Sequence, residues 1–276
     1  MGKYWLKCKS IAIQTLSMNQ HSVNSRKHFR FPNPLKTPAL TAAFLAVGTV
    51  LSTIAGFGWG NPWLMPILGA AVSYPILLFY VQRDRHRSAI GWMLFWALCQ
   101  SVAVAVATTF APEKAAQVVL SGTSSTAEML HWIRTGTGAE GSLRLFLPTH
   151  LRSYLVFCIL SLITCGSGAL ILGTYQLNYM NFYVAQLIQL SVNPWLSGAI
   201  AWPIWSMLRV IGYLYTGVAL TAGGLNLISL LKKQVPTHQF PQRFLLLGFG
   251  FVVGDIVVKA ALAPIWQKLL LKGLLG

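Results

Sequence analysis

Three ionisable residues in the C-terminal hydrophobic hairpin, Arg209, Asp255 and Lys259, are the ones whose types and spacing could do chemistry. The hairpin consists of two apolar stretches, Trp202–Ile228 and Arg243–Trp266, each long enough to cross a bilayer. A charge inside hydrocarbon costs between about 2.5 and well over 10 kcal/mol, so such residues face a bundle interior and pair with one another. Asp255 and Lys259 are spaced i,i+4 and share one helix face. The stretches follow each other through a short basic loop and therefore run antiparallel. Counted from their shared far end at 1.5 Å per residue, Arg209 lies roughly 9–10 Å deep, Lys259 about 8 Å and Asp255 about 13 Å. One layer of the membrane holds all three. Two bases and one acid leave a surplus positive charge, which suits an anion or a proton-coupled solute better than a metal cation.

Further polar residues are candidates to join that layer. Asn178 and Asn181, with Gln186 and Gln189, lie in an unusually polar stretch, 175–192, that must turn this face to protein or water. They can line a polar path with Arg209 or cross-bond helices. Glu128-x-x-His131 has a metal-binding spacing that His150 would complete, but bundle metal sites use the motif twice with further carboxylates. Ser125-Thr126-Ala127-Glu128 also reads as a capping box, in which Ser125 and Glu128 satisfy the first amides of a helix. The cap is the preferred reading, and no metal or cofactor is expected. Asn61-Pro62-Trp63-Leu64 recurs as Asn193-Pro194-Trp195-Leu196, the composition of a well-started transmembrane helix with Trp at the membrane surface. Phosphate-binding loops, dinucleotide fingerprints, nucleophile elbows and H-E-x-x-H are all missing, so enzyme chemistry is not the expectation.

The elements that must position these residues are membrane helices. Hydrophobic residues make up 55% of the chain and charged residues 9%, with a mean hydropathy of +0.59, a balance that only a membrane solvent suits. Seven spans are predicted, at about 38–58, 63–81, 89–110, 151–173, 175–192, 203–228 and 244–266. The fold class is an all-α polytopic helix bundle. A six-span alternative lets 175–192 lie in the interface or re-enter. Between the third and fourth spans, 112–150 is expected outside, with short amphipathic helices at 115–120 and 127–133 lying on the surface and Trp132 at headgroup level. Small residues at every fourth position predict close helix contacts for Gly48, Ser52, Gly56 and Gly60, for Ser161, Cys165, Ala169 and Gly173, and for Gly250 with Gly254.

The formal net charge of +16 marks topology rather than nucleic-acid binding. Basic residues cluster in 1–36, a polar tail, and in the loops Arg83–Arg87 and Lys232–Arg243. Such loops face the cytoplasm, where anionic headgroups attract them at about 1 kcal/mol per basic residue. The N-terminus, which lacks the apolar core of a signal peptide, is accordingly expected inside. Cys8, Cys99, Cys158 and Cys165 form no C-x-x-C pair and read as apolar fillers. Partners are then the bilayer, with other membrane subunits conceivable. Two functions follow: a small permease or transport-related subunit built on the charged layer, or a scaffold or assembly factor in which polar residues only fix packing.

Overall fold

The computed structural model describes residues 37–236 and 238–276. The basic tail expected at 1–36 and Thr237 lie outside the described residues. The long helices, in chain order, are α1 (Pro38–Trp59), α2 (Leu64–Val81), α3 (His86–Phe110), α6 (Leu143–Ile163), α7 (Ser167–Leu190), α9 (Ile204–Leu231) and α10 (Gln242–Leu275). Shorter helices, α4 (Pro112–Val118), α5 (Gly122–Thr135) and α8 (Pro194–Ile200), and a 3₁₀ turn at Ala139–Gly141 fill the connections. Among the described residues there is no strand. Six helices among the described residues are long and apolar enough to cross a membrane, which makes this a multi-pass membrane protein. Their outward faces carry large apolar residues such as Leu51, Ile54, Leu98, Val102, Leu155 and Val257, as hydrocarbon solvent requires.

α7 is long enough to cross as well, at about 36 Å for its 24 residues. Its polarity has a reason: α7 is the central helix, packed against α2, α3, α5 and α6. The turn before it corrects the predicted boundary between the fourth and fifth spans. The chain breaks at Thr164–Gly166, with Cys165 and Gly166 in the left-handed region at φ 49° and 91°, and not near Gly173. No proline announces this turn. The stripe of Ser161, Cys165, Ala169 and Gly173 is therefore split between two helices. Gly166 fits because a Cβ there would collide with Thr221 and touch Leu77.

The two basic loops share one end of the bundle: Asp84 accepts a hydrogen bond from the Gln239 amide at 3.1 Å. The Thr164–Gly166 turn lies at that end too, since Gly224 near the end of α9 abuts the Leu162 carbonyl. At the opposite end the predicted surface helices prove to be part of the fold. Trp132 is 1% exposed and packs with Met129, Tyr183, Trp205 and Leu270, so it is a core residue and not a headgroup anchor. The expected end of the last span at Trp266 is also corrected. α10 runs on to Leu275 because its last turns have a partner, with Gly273 pressed on Ser197 and the Val192 amide donating to the Leu274 carbonyl.

Candidate functional site

α9 and α10 set the site through one antiparallel register, in which Arg209 stands opposite Asp255, Gly212 opposite Val252 and Thr216 opposite Gly248. Glycine makes the approach possible. A Cβ on Gly212 would lie 2.9 Å from the Val252 side chain and 3.0 Å from the Gly248 carbonyl. The predicted contact through Gly250 and Gly254 is not the one used. A Cβ on Gly250 would meet nothing within 4 Å, and one on Gly254 would barely touch Leu208. The packed face carries single glycines, Gly212 and Gly248, with no glycine four residues from either, so the small-residue spacing pointed to the other face.

In this register Arg209 clamps Asp255 through two hydrogen bonds, Nε to Oδ2 at 2.9 Å and Nη2 to Oδ1 at 3.2 Å. This planar fork-to-fork geometry is the strongest form of the pair. His150, projecting from α6, brings Nε2 to 3.1 Å from Asp255 Oδ2. Asp255 is 0% exposed and His150 4%. Lys259 turns inwards and does not reach for the membrane surface. It is 3% exposed, with Nζ 2.8 Å from Glu140 Oε2 and 3.3 Å from the centroid of the Phe146 ring. An ammonium over a ring face at that distance makes a cation–π contact. Phe146 stacks on His150 at 4.8 Å, and the Arg209 guanidinium carbon lies 5.2 Å from the same ring.

The structure brings Arg209 to Asp255 and sets Lys259 against Glu140 and Phe146, two residues that sequence reasoning missed. A signal for Glu140 existed. Two bases against one acid left an intramembrane cation without a partner, and an acid from the 112–150 segment was the natural source. With Glu140 included, two bases face two acids and the formal surplus disappears. His150 escaped assignment because the fourth span was started after it. With α6 beginning at Leu143, Phe146, His150, Tyr154 and Phe157 form one face at spacings of four, four and three, and that face meets Tyr213 of α9.

Asn178 and Asn181 do not join the charged layer. Asn178 Oδ1 accepts from Gln100 Nε2 at 2.8 Å, and Asn181 donates to Ser101 Oγ at 3.1 Å while accepting from Trp202 Nε1 at 3.2 Å. They fasten α7 to α3 and to the start of α9. The weak metal candidates are not brought together either. Glu128 and His131 are exposed on α5, where His131 bonds Thr137, whereas His150 is committed to Asp255. The capping box fails as well. α5 starts at Gly122, so Ser125 lies inside the helix, its amide donating to the Ser121 carbonyl. The Asn193 cap does form, with its side chain accepting from the Leu196 amide at 3.1 Å.

No known protein family, curated protein or solved structure matches the chain. The site therefore has to be read from its own geometry. Beside the ion cluster lies a narrow cavity of about 90 Å³ between α7 and α9, two helices that do not pack closely on one another. Its walls are almost wholly apolar, and α3 closes its back with Met93, Trp96 and Ala97. Arg209 is the charged residue that borders it, with a side chain 21% exposed where that of Asp255 is 0%. Nε and Nη2 of Arg209 serve Asp255, and Nη1 makes no hydrogen bond among the described residues.

Proposed function

We propose that this membrane protein is transport-related and that it handles a small molecule in the cavity between α7 and α9, with Arg209 as the anchoring group. The supporting observation is that the cavity is bordered by a buried guanidinium that keeps donors unspent after Asp255 has been paired. A group with no ligand to serve would be expected against packed protein. Asp255, His150, Glu140 and Lys259 then act as positioning residues. They fix the guanidinium and cancel its charge, so that it can stay at depth in hydrocarbon. We place the end that carries Arg83, Arg85, Arg87, Lys232 and Lys233 at the cytoplasmic, anionic surface, on the positive-inside rule.

The competing reading, a scaffold in which polar residues only hold helices in register, draws on the pairing of every acid in the cluster. The two are separated by purifying the full chain in mild detergent and analysing its bound small molecules by mass spectrometry. A transport-related protein retains a compound that is lost on Gly173→Leu, because Gly173 lines the cavity and a Cβ there meets nothing within 4 Å. The same compound exchanges across vesicles containing wild type and not across vesicles containing the variant. If no compound is retained and both proteins behave alike, the scaffold reading stands.

A further inference from the structure

The shape of the cavity and the donors around it narrow what can occupy it. Past Arg209 it continues to Ser206 and Trp202, and from Arg209 to Thr221 along α9 it runs for 12 residues, about 18 Å. That is close to the length of one bilayer leaflet, half of a hydrocarbon core about 30 Å thick. Its length against its small free volume makes it a slot and not a chamber, so an occupant lies extended along the helices. Gly166, Leu77 and Thr221 line the end away from Arg209.

The polar groups gather towards the other end, and they are all able to donate. Tyr213 follows Arg209 by one helical turn and lines the cavity; it is 5% exposed and its hydroxyl has no partner among the described residues. Trp96 lines it from α3, is 2% exposed, and its indole N–H likewise has none among the described residues. α7 serves as a ruler for their heights. Asn178 bonds Gln100, so four residues back along both helices Trp96 stands level with Thr174, and Gly166 against Thr221 brings Arg209, 12 residues back along α9, level with Asn178, about one helical turn from Trp96. A buried donor without a partner costs about 1–3 kcal/mol, and two of them beside the free Nη1 around one cavity mark the place of an absent acceptor. The acceptor need not be charged. Arg209 and Lys259 are balanced by Asp255 and Glu140, and an added anion would be an uncompensated charge in a low-dielectric site.

We infer that the slot between α7 and α9 binds a single-chain lipid with an uncharged carbonyl head, which accepts hydrogen bonds from Arg209 Nη1, the Tyr213 hydroxyl and the Trp96 indole while its tail runs towards Gly166. This rests on the proposed function and specifies its ligand. An acyl ester and an isoprenoid quinone both offer that chemistry.

The test is native mass spectrometry of the full chain in mild detergent, titrated with monoolein, with a single-chain isoprenoid quinone and, as the charged counterpart, with oleate. One equivalent of monoolein or of the quinone binds wild type, the better of the two naming the source, and oleate binds at least tenfold more weakly. Tyr213→Phe weakens binding roughly tenfold, the equivalent of one hydrogen bond of about 1.4 kcal/mol. Gly173→Leu abolishes binding, whereas Gly250→Leu, placed where there is equal room but no cavity lining, binds as wild type and shows that the bundle tolerates a leucine on an open helix face. Preferred binding of oleate, or equal binding by Gly173→Leu and Gly250→Leu, overturns the inference. A water-soluble compound retained by wild type and lost in Gly173→Leu sinks the lipid and leaves the proposed function standing. With nothing retained from cells and nothing bound in the titration, both fall.

Discussion

Two polar seams run through the bundle and behave differently. Between α3 and α7 the seam is neutral, with Gln100 on Asn178 and Ser101 on Asn181. Where α6, α9 and α10 meet it is ionic, and every acid and base in it has an opposite charge in contact. The neutral seam leaves polar atoms over: Gln100 Oε1 and Asn178 Nδ2 are buried without partners among the described residues. The ionic seam gives each of its charges an opposite one, and it draws Glu140 in from a connecting segment to do so. An amide in hydrocarbon costs little enough that helix packing absorbs it, while a charge dictates which segments must come together.

The largest effect expected from breaking this contrast is at Asp255. Asp255→Asn leaves Arg209 uncompensated and should lose roughly 3–5 kcal/mol of stability, read as thermal unfolding in detergent. Arg209→Gln should do similar damage, and the double variant should recover part of it through their coupling. Strict additivity of the two losses would show that the clamp is not formed.

Next comes Lys259→Gln. Simple snorkelling would make it mild, but the Glu140 and Phe146 contacts set the expected loss at about 1.5–3 kcal/mol, the range of hydrogen bonds to charged groups. Glu140 is 26% exposed and can turn to water, which keeps this below the Asp255 loss. Rescue by Glu140→Gln in the Lys259→Gln background would sharpen the assignment of the pair, and no rescue would break it.

Asn178→Leu should be the smallest change, about 0.6 kcal/mol and at most roughly 1.7, as for single interhelical hydrogen bonds in membranes. A loss as large as that of Asp255→Asn would erase the distinction between the seams and return Asn178 to the charged layer.

Legibility from the sequence followed the same divide. Charges were easy to place, since Arg209, Asp255 and Lys259 stand out against apolar sequence and their depths can be counted from the helical rise. The boundaries at Pro38, Leu64 and Ile204 fell within a few residues of expectation, where a proline or an Asn-Pro-Trp turn punctuates the chain. The break at Cys165–Gly166 was not visible, because small residues serve both a tight turn and a close helix contact. Ser125 was misread for a related reason: a capping motif is local, and where α5 starts is decided by Gly122 packing on Phe182 and Val119.

By itself the sequence determined the solvent, the helical class, the pairing of Arg209 with Asp255 and the grouping of the two basic loops, because hydrophobicity and buried charge act through composition and spacing alone. Tertiary structure decided the rest. It brought Glu140 to Lys259 and Trp132 into the core, chose Gly212 and Gly248 over Gly250 and Gly254, and held α7 and α9 apart to leave a slot beside Arg209. Each of these depends on which faces of different helices meet, and helices whose every face is apolar enough for lipid carry little in their own sequence to say which face will be buried.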